Sequence, residues 1–197
     1  MWTTNVFGTD VYHIVAAFFI YSVMGWVLES IYMSFCEKKP TNRGFAKGPF
    51  CPIYGVGATI GYQILVPLKN NWILLYFSAA IIATLFEYIV GRLMIRFLGE
   101  LWWDYNMKPF NYQGIICLES TIAWGFYGLG VVYYVRDGLY SLIDKVDMRT
   151  GTILIIIAFI IALIDYAIQL SKVFHVDLRE KSRQVVKTCQ GFISRRD

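Results

Sequence analysis

Residues 152–171 read TILIIIAFIIALIDYAIQLS, an apolar run of helical length whose one charged residue is Asp165. At ~1.5 Å of rise per residue, twenty such residues make a helix about 30 Å long, the thickness of a bilayer's hydrocarbon core. The run has no polar face to turn toward water. Lipid is therefore its expected solvent.

Four more segments share this character: 11–35, 50–68, 71–97 and 114–135. The second is interrupted by Pro52 and by Gly55, Gly57 and Gly61. Across all 197 residues the chain is 57% hydrophobic and 17% aromatic, with a mean hydropathy of +0.50. Only 16% of its residues are charged, where a soluble domain carries about 25%. A soluble core cannot hide that much apolar surface. The expected fold is all-α, a polytopic transmembrane helix bundle of about five spans.

The domain reading follows: an extracytoplasmic N-terminus over 1–10, one transmembrane helical domain over 11–171, and a basic tail over 172–197. No basic start or small-residue cleavage site marks a removable signal peptide, so the first span is expected to stay in the mature protein. The sequence shows no internal repeat. In the tail, KVFHVDLREKSRQVVKTCQGFISRR, charges mix with Val173, Leu178, Val185, Val186, Phe192 and Ile193. It is expected either to lie on anionic lipid or to be a solvated end.

With five spans the termini face opposite sides, and Lys and Arg can be assigned to each. Lys38, Lys39, Arg43, Lys47, Arg92, Arg96, Lys108 and seven tail residues fall on one side, fourteen in all; Lys69, Arg136, Lys145 and Arg149 fall on the other. Positive residues stay in the cytoplasm, so the N-terminus is expected outside and the C-terminus inside. The formal charge of +4 is then a topology signal. It gives no motive for nucleic-acid binding, since no DNA or RNA module surrounds these residues.

Conventional chemistry is thin. Cys36, Cys51, Cys117 and Cys189 show no CxxC or Cys/His spacing, and His13 and His175 lie near opposite ends of the chain. Free thiols are expected, without a zinc site or disulfide framework. No P-loop, HExxH, GxSxG or GxGxxG occurs, and no cofactor is called for. Gly57 and Gly61 form a GxxxG that more often packs helices than gates a path.

The acids carry more. Glu29, Glu87, Glu119 and Asp165 fall inside expected spans, where a charge costs at least ~2.5–3.5 kcal/mol and needs a partner or a purpose. Glu29, Glu119 and Asp165 lie about 7–9 Å from the cytoplasmic ends of their helices, and Glu87 about 15 Å. Helical spacing puts Ser22 and Gly25 on the face of Glu29, Ala83, Thr84 and Gly91 on that of Glu87, and Ala123 and Gly130 on that of Glu119. Small neighbours allow close helix approach, so the three glutamates are expected to face the bundle interior. Arg92 is rotated about 140° from Glu87 and cannot be its i+4 partner. Two readings stand side by side: the acids line a polar cavity open to the cytoplasm, or they only lock helices together.

Two loops return to the membrane near these acids. In NRGFAKGPFCPIYG, residues 42–55, glycines permit tight turns while Pro49 and Pro52 resist a regular helix. Arg43 can bind carboxylate or phosphate in two bonds, and Asn42 can donate and accept. The loop is expected to close the cytoplasmic mouth of a cavity, the bland alternative being a cap on two helices. In LGELWWDYNMKPFNYQG, residues 98–114, Trp102, Trp103, Tyr105, Phe110 and Tyr112 suit the headgroup level. Asp104 and Asn111 either complete the polar site or meet lipid headgroups.

The segments GWVLESIY, NRGFAKGPFCPIYG, FEYIVGRL, LWWDYNMKPFNYQGIICLES and AWGFYGLG occur in order and resemble the ABC-transporter type IV (CmpB) family of bacterial integral membrane proteins. The resemblance covers about 11–134, leaving Asp165 and the tail outside it. It implies a bacterial plasma-membrane permease subunit driven by a separate cytoplasmic ATPase, with a second copy supplying further spans. It also marks Glu29, Asn42, Arg43, Gly48, Cys51, Tyr54, Glu87, Arg92, Trp103, Asp104, Asn111 and Glu119 as motif positions.

The function expected is a permease-like transporter with a cytoplasm-facing cavity of acids and arginines for a small or lipid-derived solute. Glu29, Asn42, Arg43, Glu87, Arg92, Asp104, Asn111 and Glu119 are its candidate binding residues. The rivals are a membrane-embedded enzyme acting on a lipid headgroup through paired acids, and a non-catalytic scaffold subunit.

Overall fold

The computed structural model describes residues 2–6, 8–42 and 44–174. Arg43, His175, Cys189 and the amphipathic tail beyond Phe174 lie outside the described residues. The fold is all-α apart from a small antiparallel hairpin, β1 (Asn5–Val6) and β2 (Thr9–Asp10). Its helices are α1 (Val11–Glu37), α2 (Pro52–Leu65), α3 (Trp72–Leu98), α4 (Leu118–Gly130), α5 (Arg136–Ile143) and α6 (Met148–Val173).

Local chemistry sets the ends. Asp10 caps α1 by accepting from the His13 amide at 3.0 Å, Asn71 caps α3 from Leu74 at 3.1 Å, and Asp147 caps α6 from Arg149 and Thr150 at 3.0 and 3.1 Å. Pro52 sits at the first turn of α2, where its missing N–H costs nothing. α3 stops at Gly99, whose φ of 78° is the left-handed conformation that glycine adopts without strain.

α1, α3 and α6 are long and apolar enough to cross a membrane. The other two expected spans take different forms. α2 has only 14 residues and continues as a single 3₁₀ turn, Val66–Leu68. The expected span at 114–135 starts later, because Phe110, Gln113 and Gly114 all take positive φ and fold the chain into a compact loop before Leu118. It also ends later: α4 widens into a π turn over Val131–Val135 and runs on as α5.

α3 packs along α4 and α1 along α2. The α1–α2 seam is tight, since a Cβ on Gly25 would collide with the Tyr54 ring and one on Gly55 with Ser22 and Phe18. α6 rests on α1, with Gly151 against the hydroxyl end of Tyr12, and leaves Ile153, Leu154, Ile157, Ile160, Ile161 and Ile164 exposed. A ring of outward apolar side chains is what a lipid solvent selects.

Beside the hairpin, His13 bridges the chain's early and late segments, bonding Asp10 Oδ2 at 2.7 Å and Asp144 Oδ1 at 2.9 Å. Nearby, the Arg136 guanidinium lies 4.0 Å from the Tyr140 ring centre and 5.1 Å from that of Tyr62.

Candidate functional site

α2 touches α3 far less than it touches α1, and the space left between α2, α3 and α4 is a cavity of about 250 Å³. Glu29, Tyr54, Glu87, Trp103, Tyr105 and Trp124 border its polar end, while Ile60, Ile64, Leu65 and Ile82 border the apolar remainder. Among the described residues its lining contains two carboxylates, Glu29 and Glu87.

Glu87 is the better enclosed of the two acids, 5% exposed in the middle of α3. Its Oε1 accepts from the Tyr105 hydroxyl at 3.1 Å, and its Oε2 accepts from the Trp124 indole N–H at 3.0 Å and the Ser120 hydroxyl at 3.3 Å. Three neutral donors replace part of the hydration that burial removes. Glu29 is half-buried on α1 and is hydrogen-bonded by the Tyr54 hydroxyl. Burial, reinforced by the Glu87 charge, pushes the Tyr105 phenol well above the usual tyrosine range, so it acts here as a fixed donor.

The loop before α4 makes this arrangement possible. Gly91 leaves no room for a Cβ beside Ile115, so residues 101–115 can press against α3. Trp103 then donates to the Ile115 carbonyl at 2.7 Å, and the Tyr105 amide bonds the Gly114 carbonyl at 3.0 Å. Asn111 braces the loop by donating to the carbonyls of Asn106 and Lys108 and accepting from the Gly114 amide. Asp104 accepts from the backbone and side chain of Asn106. Both candidates therefore shape the loop that delivers Tyr105, and neither borders the cavity.

The loop at 42–55 also has a defined position. Asn42 accepts from the Trp26 indole at 2.6 Å and donates to the Lys47 carbonyl at 2.8 Å. The Gly48 amide donates to Asp165 Oδ2 at 2.6 Å, and Phe45 stacks on Trp102 with ring centres 4.2 Å apart. The two loops thus meet each other, and the loop at 42–55 also meets α6.

Of the expected site residues, the structure brings Glu29 and Glu87 to one cavity. Glu119 lies elsewhere: its side chain is 54% exposed, bonded to Lys108 Nζ at 2.7 Å and to the Tyr32 hydroxyl at 3.1 Å. Lys108 accordingly holds its proton more tightly than usual, chiefly through that bond. Arg92 is exposed and donates to Gln113 Oε1 at 3.3 Å. The residues that the sequence reading did not single out are Ser120 and Trp124. An indole N–H deep in an apolar segment needs an acceptor, and that was the available signal for Trp124.

No curated protein and no solved structure matches this chain. A family does: the one described as Putative ABC-transporter type IV, ABC_trans_CmpB, matches residues 16–170. The match runs past residue 134 and takes in Asp165, which the sequence resemblance had left outside. With α1, α3 and α6 able to span a bilayer and most of its length matched, the chain belongs to the ABC-transporter type IV (CmpB) family of membrane proteins.

Proposed function

We propose that this chain is a permease-like protein of the bacterial plasma membrane that takes a small or lipid-derived solute into the Glu29–Glu87 cavity. The observation that carries the reading is the cavity itself, where two carboxylates are held among tyrosine and tryptophan rings. A lock between helices needs no such space. Intramembrane acids that border a cavity mark solute or ion paths by default.

In this reading the chain crosses the bilayer five times with its N-terminus outside, a topology that the asymmetry of Lys and Arg supports. The acids then sit in the cytoplasmic half, below the loops joined by Phe45 and Trp102. A separate cytoplasmic ATPase is the partner that the family's description calls for. The exposed apolar faces of α6 leave room for a second copy beside the lipid.

The test is flux in proteoliposomes. Solutes extracted from the purified protein are offered back in labelled form, and uptake or efflux is compared between wild type and Glu87→Gln. Flux lost in the variant, with the helical content retained, supports the reading. Conversion of a lipid without flux would instead establish the headgroup enzyme, and the absence of either would leave a scaffold.

A further inference from the structure

The walls of the cavity bear on what the solute is and on how it arrives. Resting on the reading above, we propose that the cavity opens sideways to the bilayer between α2 and α3 and takes from it a single-chain amphiphile with a small, uncharged, hydrogen-bonding head.

The opening has apolar lips. Ile60 and Ile64, one helical turn apart on α2, border the cavity and are still 56% and 49% exposed. Ile82 and Phe86 border it from α3, and Ile81, Leu85 and Ile89 continue the apolar surface outward from them, all three exposed. Ile82 and Phe86 stand ten and fourteen residues after Trp72, about 15 and 21 Å along a helix about 40 Å long. That is the depth of the hydrocarbon core, where lipid is the solvent. Glycines keep the gap clear: a Cβ at Gly57 would stand 3.6 Å from the Phe86 ring, and one at Gly61 has no described atom within 4 Å. The tail beyond Phe174 carries six Lys and Arg residues, which makes it a poor cover for an opening at this depth.

A solute that arrives through hydrocarbon must bring its head with it. Charge is expensive there, so the head is uncharged. An apolar chain gains no hydrophobic stabilisation on leaving lipid for an apolar cavity, so the chain alone has no reason to stay. The head does. Its polar atoms are unpaired in hydrocarbon and meet partners at the cavity's polar end. There the Tyr54 hydroxyl donates to Glu29 and the Tyr105 hydroxyl donates to Glu87 Oε1 at 3.1 Å. A phenol oxygen that donates keeps a lone pair able to accept, and carboxylate oxygens accept from a head that donates. A hydroxyl group makes both kinds of bond.

Volume and depth limit the rest. About 250 Å³ is the space of roughly eight waters at ~30 Å³ each, enough for a small head and several methylenes, with the remaining chain trailing through the gap into lipid. Glu87 lies eleven residues before Leu98, about 16 Å from the nearer end of α3. A phospholipid keeps its charged headgroup at the membrane surface and does not bring it to that depth. A small-headed single chain does.

The probe is dodecanol carrying a mid-chain diazirine and a terminal alkyne, dissolved in nanodiscs of phosphatidylglycerol and phosphatidylethanolamine that hold the full chain. After irradiation, mass spectrometry reads the label at each position. Labelling of Ile60, Gly61, Ile82 and Phe86 should saturate, and unlabelled dodecanol should abolish it. Labelling of Ile157 and Ile161, exposed on α6, should rise in proportion to the probe and resist competition. Dodecane lacks the head and dodecyl phosphate carries charge on it, so neither should compete. Gly61→Leu, which puts a side chain into the gap, should cut the label at Ile82 and Phe86 roughly tenfold and leave that on α6 unchanged.

Wall labelling that rises without saturation, as on α6, overturns the proposal. So does competition by dodecane or dodecyl phosphate as strong as by dodecanol, or a wall that takes no label because a second copy covers it. If Gly61→Leu does not fold, the three competitors decide the matter on the wild type. Flux of a water-soluble solute without saturable labelling would sink this inference and leave the permease reading standing. Saturable labelling without flux would do the reverse.

Discussion

The two sides of α2 are built from the same ingredients and do opposite things. Toward α1, Gly55 brings the backbones together until Ser22 and Phe18 fill the place of a side chain. Toward α3, Gly57 and Gly61 meet only a distant phenylalanine or nothing at all, and the missing side chains become volume. Small residues close one seam and open the other. What decides between them is the partner: α1 offers Ser22 and Gly25 at the contact, whereas α3 offers Ile82 and Phe86, which hold α2 away.

The largest effect should come from the polar end of the open seam. Glu87→Leu leaves the buried Tyr105 and Trp124 donors without their acceptor, each at ~1–3 kcal/mol, so a loss of about 2–6 kcal/mol is expected. Glu87→Gln keeps an acceptor oxygen and should lose far less. Unfolding of the detergent-solubilised protein by chemical denaturant measures both. Equal losses would show that the carboxylate's hydrogen bonds do not hold the loop at 98–114 in place.

On the closed seam, Gly55→Val should cost about 1–3 kcal/mol, because a Cβ 2.5 Å from the Phe18 carbonyl forces α1 and α2 apart. The same unfolding assay reads it. Little change would mean that this seam yields as easily as its counterpart, and the contrast between the two sides would fail.

A smaller effect separates the buried acid from the exposed one. Glu119→Gln removes an ion pair with Lys108 that water screens on both sides, the side chains being 54% and 39% exposed. The expected loss is within about 1 kcal/mol, and raising the salt concentration should shrink it further. A loss comparable to that of Glu87→Leu would place Glu119 in the buried network after all.

These contrasts mark how far the sequence could be read. Apolar runs located α1, α3 and α6, because the bilayer's demand for about twenty apolar residues is written directly into composition. Spacing placed Glu87 correctly toward the interior, since its small neighbours were real packing contacts: Gly91 touches Ile115 in the loop that brings Tyr105. The same reasoning put Glu119 inside and did not see that it stands at the first turn of α4. There the chain has only just left a loop, and Lys108 from that loop reaches the carboxylate before any helix can cover it. Loop conformation depends on positive φ at Phe110, Gln113 and Gly114, two of which carry side chains that give no hint of it. A polar cavity was expected around the acids, but its apolar extension along α2 was hidden: GxxxG at Gly57 and Gly61 reads as a packing motif until a neighbour is known to be absent.

The smallest expected effect has the opposite sign from the rest. Gly61→Ala places a methyl group where no atom lies within 4 Å, in a helix where alanine is favoured over glycine by roughly 0.5–1 kcal/mol. The substitution should therefore leave stability unchanged or raise it by a few tenths of a kcal/mol within that range, while its methyl intrudes on the α2–α3 space. Gly61→Leu carries the intrusion further and should lower occupancy of the cavity, read as flux, more than Gly61→Ala does, with the fold retained. Stability and occupancy then move apart along one series of side chains at one position. On the closed seam they cannot, because any atom added at Gly55 strains the fold before it alters the cavity.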